Sequence, residues 1–442
     1  MKTPFLDGQL ALCRDRLGKE PGEALEREEF DAYREASLRR TVAWVSRESA
    51  FYRELFRELG IEPEEIMSFP DVQKLPFTFP SDLRDYPGRF LCRSPRYIQK
   101  PVSYRSSGTT GLQKQIFFSG TDLDRMRSFT GMAMCSIADP EDARILCLMT
   151  NTQGRGAANY FAEAVSAFGM KVVIADMTAD SDEIVSLSER NHCNIWFGDI
   201  GTIYRVAKEC GEYRDLTRLG IRLVYVTMGN VSSPAREFLR KCFSCEVITH
   251  YGLTEVGWGF AIEKSDGSGY YSNELDVYTE VVDPATGCPL PDGSPGELTY
   301  TLIGRDAMPL IRYRSGDIAA LWRARTRDEM DTIGPIQYRL EGLLRAPSGA
   351  FLAPPLIEDV LYRFPEAVDY RLYGDEKGWR IEVAALEGQT RSTLERALYH
   401  SLQSLPACAE LPLRSVKLLS PSALRRYCYE KKRFIAEDLS SP

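Results

Sequence analysis

The sequence predicts an α/β protein: a large N-terminal domain with mostly parallel sheets plus an antiparallel β section, and a small α+β C-terminal domain. Three observations predict it. From residue 100 to about 250, short β-branched and aromatic runs alternate with helical stretches, the pattern of a covered parallel sheet. After residue 270 the runs shorten and are joined by tight turns. After about residue 344 a strictly alternating hairpin precedes an amphipathic helix. The expected domains are therefore 1–343 and 344–442.

The elements follow in chain order. Residues 28–60 read as helix, with Tyr33, Leu38, Val42 and Val45 near one face and Tyr52, Leu55, Phe56 and Leu59 repeating the pattern. Pro70, Pro76 and Pro80 interrupt the chain before Ser81, the expected N-cap of a short helix. Val172–Ile174, Ile195–Phe197 and Leu223–Val226 read as strands, separated by helices over Asp180–Asn191, Thr202–Cys210 and Pro234–Phe243. Val277–Val282, Gly296–Leu302 and Ile311–Arg314 read as antiparallel strands, joined by turns at Asp283–Gly287 and Pro291–Gly293. A short helix over Leu356–Phe364 leads into the hairpin, where Val368, Tyr370 and Leu372 are followed by Trp379, Ile381 and Val383. Leu394, Leu398, Leu402 and Leu405 then mark one helix face.

Composition removes several function classes. The 442 residues carry 55 Lys plus Arg against 63 Asp plus Glu, a net charge of −8. That acidic excess repels a polyphosphate backbone, so no nucleic-acid partner is expected. No apolar run approaches the roughly 18 residues of a membrane span, and Asp7, Arg14 and Asp15 break the start, so neither membrane nor leader is expected. The expected location is cytoplasmic. The 11 cysteines are scattered, several within apolar runs such as Ile145–Met149, as free thiols in a reducing compartment would be. Cys242 and Cys245 with His250 fall short of the four ligands of a structural zinc site.

Chemistry concentrates in three stretches. Ser106-Ser107-Gly108-Thr109-Thr110-Gly111-Leu112-Gln113-Lys114 lies between the apolar Val102–Tyr104 and the strand-like Gln115–Phe118. Its hydroxyls and successive N–H groups can surround a phosphate, with Lys114 as a point charge. No Gly-Lys-Ser/Thr follows, so it is not a Walker loop; the plainer alternative is a Ser/Thr-rich hairpin turn. His250-Tyr251-Gly252-Leu253-Thr254-Glu255 follows the strand-like Glu246–Thr249, at a carboxyl end where α/β sheets bind ligands. The Tyr251 ring can stack on a base and the Glu255 carboxylate can hold a hard cation; a surface turn is the alternative. In Tyr313-Arg314-Ser315-Gly316-Asp317 the carboxylate can accept from two vicinal ribose hydroxyls, or simply cap a turn.

Taken together and in this order, these stretches resemble the adenylate-forming ligases, the acyl-CoA synthetase superfamily. Gly296-Glu297-Leu298 is a further signature. Phe51-Tyr52-Arg53, Leu75-Pro76-Phe77-Thr78, the Ser-Ser start of the loop and Met308–Arg314 resemble the phenylacetate-CoA ligase branch. The resemblance implies ATP, Mg²⁺ and coenzyme A, a carboxylic acid substrate of aryl or small acyl type, and, by analogy with relatives, a homodimer. It implies that Ser106, Ser107, Gly108, Thr109, Thr110 and Gly111 hold the β- and γ-phosphates, with Lys114 beside them. Tyr251 would stack on adenine, with Gly252 beside it in the nucleotide site, and Gly229 and Asn230 occupy the place of the family's adenine-contacting segment. Thr254 would bond the α-phosphate, Glu255 would hold Mg²⁺ and Asp317 the ribose. A C-terminal lysine bridges carboxylate and α-phosphate during adenylation, here Lys432, with Lys431 as the alternative. The acid pocket would draw on Tyr160, Phe197 and Trp258, rings that suit a flat acid or are ordinary core.

The resemblance further implies two steps, adenylation and transfer to a thiol, with the small C-terminal domain as a mobile lid turning between them. The family hinge reads Gly-Arg-x-Asp-Asp where this chain has Gly342-Leu343-Leu344-Arg345, without the Arg or the acidic pair. Two alternatives follow: transfer to a protein thiol or amine instead of coenzyme A, or a non-catalytic nucleotide-binding relative. Lys114, Thr254, Glu255 and Asp317 stand against the last. Some relatives carry a Cys/His zinc site after the Tyr-Gly-x-Thr-Glu segment; the stretch from Phe260 through Tyr271 holds neither residue type, so no zinc is expected.

Overall fold

The computed structural model describes residues 3–20, 23–104, 114–149, 156–229, 231–326, 328–387, 390–427 and 432–436. The chain divides into two compact units, each built from two segments: Met1–Asp139 with Tyr251–Ile336, and Pro140–His250 with Gln337–Pro442. The α/β class is borne out, with both parallel and antiparallel sheets. No helix among the described residues is long and apolar enough to cross a membrane.

The first unit begins with helices Pro4–Arg16, Arg27–Glu48 and Ala50–Leu59. The expected single helix over 28–60 is broken at Ser49, which leaves helical dihedrals (φ −78°, ψ 123°) so that its hydroxyl can cap Tyr52 N–H. The short helix after the prolines is Pro80–Asp85 with Phe79, not Ser81, at its cap. Pro80 suits the first helical position, and Asp82 accepts the Phe79 N–H at 2.7 Å. Ile98–Tyr104 and Lys114–Ser119 then form an antiparallel hairpin in which Tyr104 pairs with Lys114. Val277–Val282, Gly296–Leu302 and Tyr313–Ala319 form an antiparallel sheet. The third of these starts two residues later than expected, because Arg312 adopts a left-handed φ of 47°. That turn buries its guanidinium against Glu280 (3.1 and 3.2 Å) and the Gln73 and Leu75 carbonyls.

The second unit contains a parallel sheet in the order Glu246–Leu253, Leu223–Thr227, Ile195–Asp199, Arg144–Leu148, Lys171–Ile174; the first strand runs on into the other unit at Tyr251. One face carries Trp196, Val224, Val226 and Val247, packed on helices Ser181–Arg190, Ile200–Gly211 and Ser233–Phe243. Cys242 and Cys245 pack against this core, their thiols donating to the Ala207 and Leu239 carbonyls. From Leu344 onward the same unit holds a second core around Trp379, Leu398 and Leu402. It lies under a sheet ordered Leu413–Leu419, Gly378–Ala385, Ala367–Asp375, Phe434–Ala436. Helices Pro354–Leu361 and Arg391–Gln403 complete it.

Candidate active site

Lys114 opens a strand immediately after 105–113, so it is fixed in backbone register while the expected phosphate loop, Ser106, Ser107, Gly108, Thr109, Thr110 and Gly111, lies outside the described residues. Its buried Nζ lies 3.2 Å from Glu255 Oε1 and 3.4 Å from the Tyr313 hydroxyl. Tyr313 donates to the same Glu255 oxygen at 2.6 Å. One carboxylate oxygen thus gathers groups from all three sequence stretches. Both charges of the ion pair are almost fully removed from water, which costs free energy unless the geometry returns it. Such pairs are common where charge is needed for chemistry.

The strand Glu246–Leu253 carries Tyr251 and Gly252, and Thr254 and Glu255 form the turn that follows. Glycine at 252 is obligatory, because a Cβ there would lie 1.5 Å from the Trp258 carbonyl oxygen. The Tyr251 hydroxyl donates to Asp317 Oδ2 at 2.6 Å and accepts from Tyr300 at 3.1 Å. Burial, then the adjoining Asp317 charge, raise the Tyr251 phenol well above its ordinary pKa. Its ring packs edge-on against Phe260, 5.3 Å between centres. Gly316, with φ of 76°, bends the backbone just before Asp317. Trp258, expected in the acid pocket, has its ring 5.4 Å from Phe118, with Lys100 Nζ 4.9 Å above it.

Gly229, Tyr160, Phe197 and Lys432 belong to the second unit. Asn230 and Lys431 lie outside the described residues. Phe197 stacks on Phe161 at 3.8 Å and packs against Tyr225 at 5.2 Å. His250 joins this face, 5.7 Å from Phe197 and 5.3 Å from Tyr225, with Nε2 2.8 Å from the Thr227 hydroxyl. Desolvation pushes His250 down to about 4, so the imidazole is neutral at ordinary pH. Sequence reasoning missed that His250 packs with Phe197 and Tyr225; the available signal was that the strand period puts 248 and 250 on their face. Tyr160 is buried beside Phe161 on helix Ala157–Ser166. Gly229 approaches Ile200, whose Cγ2 would lie 2.8 Å from a Cβ. Lys432 Nζ bonds the Asp369 carboxylate and the Tyr370 carbonyl.

Residues 104–303 match the family model described as AMP-binding enzyme. A phenylacetate-coenzyme A ligase of Thermus thermophilus is 30% identical over 365 residues, covering 79% of this chain and 78% of that protein. The chain belongs to the phenylacetate-CoA ligase family of AMP-binding enzymes. Another member, from Aromatoleum evansii, is 28% identical over 379 residues, 81% of each chain. The fold matches a 2-hydroxyisobutyryl-CoA ligase in the postadenylation state, with a TM-score of 0.77 over 95% of this chain and 94% of that one at 16% identity. An anthranilate CoA ligase matches with a TM-score of 0.52 over 72% and 63%, at 16% identity.

For this phenylacetate-CoA ligase family member, the segment at Gly342, expected as a hinge, has its own backbone role. Gly342 has φ of 89° and its carbonyl accepts from Phe434 N–H at 3.3 Å, while a Cβ would sit 2.9 Å from that of Arg433. The Glu255 carboxylate is a hard oxygen donor of the kind that could hold Mg²⁺ once phosphates complete the ion's shell.

Two outcomes follow. Gly252→Ala should lower the thermal midpoint by several degrees and weaken ATP binding, since the Cβ cannot be seated without displacing the Trp258 backbone; an unchanged midpoint would contradict the packing. The depressed His250 pKa gives stability that is full above about 6.5 and lost as pH falls toward 4, because the unfolded chain takes the proton first. His250→Gln should flatten the loss of thermal midpoint between pH 6.5 and 4; a slope equal to that of the native chain would refute the assignment.

Proposed function

We propose that this chain activates an aryl carboxylic acid with ATP, forming an acyl-adenylate and pyrophosphate, and passes the acyl group to coenzyme A with release of AMP. The observation that carries this reading is the convergence of Lys114, Tyr313 and Glu255 on one buried carboxylate oxygen, within a chain of this family. Relatives named for phenylacetate and the Phe161–Phe197–Tyr225 face support a flat aromatic acid.

Adenylation brings two anions together. A carboxylate oxygen attacks the α-phosphorus in line, and the bond to the pyrophosphate oxygen breaks. Lys114 would offset phosphate charge, Asp317 would take the ribose and Thr254 would bond the α-phosphate. Glu255 would hold Mg²⁺, which offsets the repulsion between phosphates when bound. Lys432 would bridge the two reactants, and the residues from about 344 onward would act as the lid. In the second step the thiol sulfur attacks the acyl carbon, the thiol proton is lost and AMP departs. Transfer to a protein thiol or amine is the second reading, favoured by Leu343 in place of the hinge arginine.

Pyrophosphate release with Mg-ATP, measured across aryl and short acyl acids with and without coenzyme A, tests both readings. Acid-dependent release that rises with coenzyme A, with the thioester seen by mass, is expected. Release that ignores coenzyme A but responds to hydroxylamine would select the second reading, and silence with every acid would contradict both.

A further inference from the structure

Lys432 sits among three buried carboxylates that the reaction above does not use. Asp369, whose carboxylate receives its Nζ, is 3% exposed, as is Asp199, while Glu358 is 7% exposed. The Tyr370 carbonyl accepts a second bond from Nζ at 3.1 Å, and the ammonium lies 4.8 Å from the centre of the Tyr370 ring. Glu358 accepts the Tyr370 hydroxyl at 2.6 Å. Asp199 accepts from the Thr202 N–H and hydroxyl at 2.8 and 3.0 Å. Among the described residues, groups from four elements surround this seat. Strand Ala367–Asp375 brings Asp369 and Tyr370, helix Pro354–Leu361 and its cap bring Glu358, Asp359 and Tyr362, and Ile195–Asp199 brings Asp199. Helix Ile200–Gly211 brings Tyr204, whose ring lies tilted 4.7 Å from that of Tyr362, and Lys208, which is turned to the Pro365 carbonyl at 2.8 Å.

We propose that Asp369 is a positioning residue that parks Lys432, and that the lysine leaves this seat only as the neighbouring Asp199 and Glu358 carboxylates take up protons. The inference rests on the reading of Lys432 as the adenylation lysine. Withdrawing an ammonium from beside buried carboxylates leaves charge that the interior cannot solvate. Protonation is the available remedy. Burial already raises Asp199 and Glu358 to about 7 with the lysine in place, against its opposing pull. Its departure removes that pull and raises them further, so release takes up protons. Falling pH therefore frees Lys432 and rising pH holds it. While Nζ is bonded to Asp369 it cannot bridge an acid carboxylate and an α-phosphate, so adenylation should slow as pH rises through about 7.

The test uses the full chain, ATP and the acid of the panel above that turns over fastest. Acid-dependent ATP–pyrophosphate exchange should fall about tenfold or more from pH 6.5 to 8.5. Asp369→Asn should hold it within about twofold with KM for ATP unchanged, and Asp369→Glu should restore the slope. A slope in Asp369→Asn equal to that of the native chain would overturn the parking role. Labelling the native chain with acetic anhydride at pH 8.5, read by mass, needs neither variant nor substrate. Lys432 should react at least about tenfold more slowly than the exposed Lys377, and equal labelling would overturn the proposal. Lys432→Ala separates the two readings. Exchange surviving in it would refute Lys432 as the adenylation lysine, whereas exchange lost in it, with an unaltered slope in Asp369→Asn, would refute the parking alone.

Discussion

The arrangement depends on keeping one carboxylate, that of Glu255, charged and buried. Lys114 and Tyr313 make this tolerable, the first by charge and the second by a 2.6 Å hydrogen bond. Neither can be supplied locally, since they come from 141 and 58 residues away in the chain. The hairpin fixes Lys114 in register with Tyr104, the antiparallel sheet fixes Tyr313 opposite Tyr300, and Gly252 lets the strand before Glu255 pass close to the Trp258 backbone. Two left-handed residues of the first unit serve this meeting. Arg312 at φ 47° and Gly316 at φ 76° bracket the segment that delivers both Tyr313 and Asp317.

Where tight turns bracket a strand, the amino-acid pattern locates it to the residue, as for Val277–Val282 and Gly296–Leu302. The pattern misleads where glycine sits inside an element. Gly316 reads as an end, yet the strand runs from Tyr313 to Ala319 with a left-handed residue within it. Ser49 misleads in the opposite sense, because helical periodicity on both sides hides a break that only its capping bond reveals.

The candidate site residues divide similarly. Lys114 and Glu255 are legible because their stretches concentrate hydroxyls, glycines and charge, but that Tyr313 would bond Glu255 is a tertiary fact. Asp369 is harder still. An alternating strand predicts it on a solvent face, and the structure buries both faces at this end because helix Ile200–Gly211 packs over the strand. A carboxylate placed there must find a cation, and Lys432 is the one it finds.

A double-mutant cycle on Glu255 and Tyr313, read as acid-dependent ATP–pyrophosphate exchange, tests the central claim most directly. If one carboxylate oxygen is the shared centre, Glu255→Gln should abolish most exchange, Tyr313→Phe should reduce it, and the double variant should lose little beyond Glu255→Gln alone. Losses that simply multiply would mean that the two residues act independently, and would contradict the account.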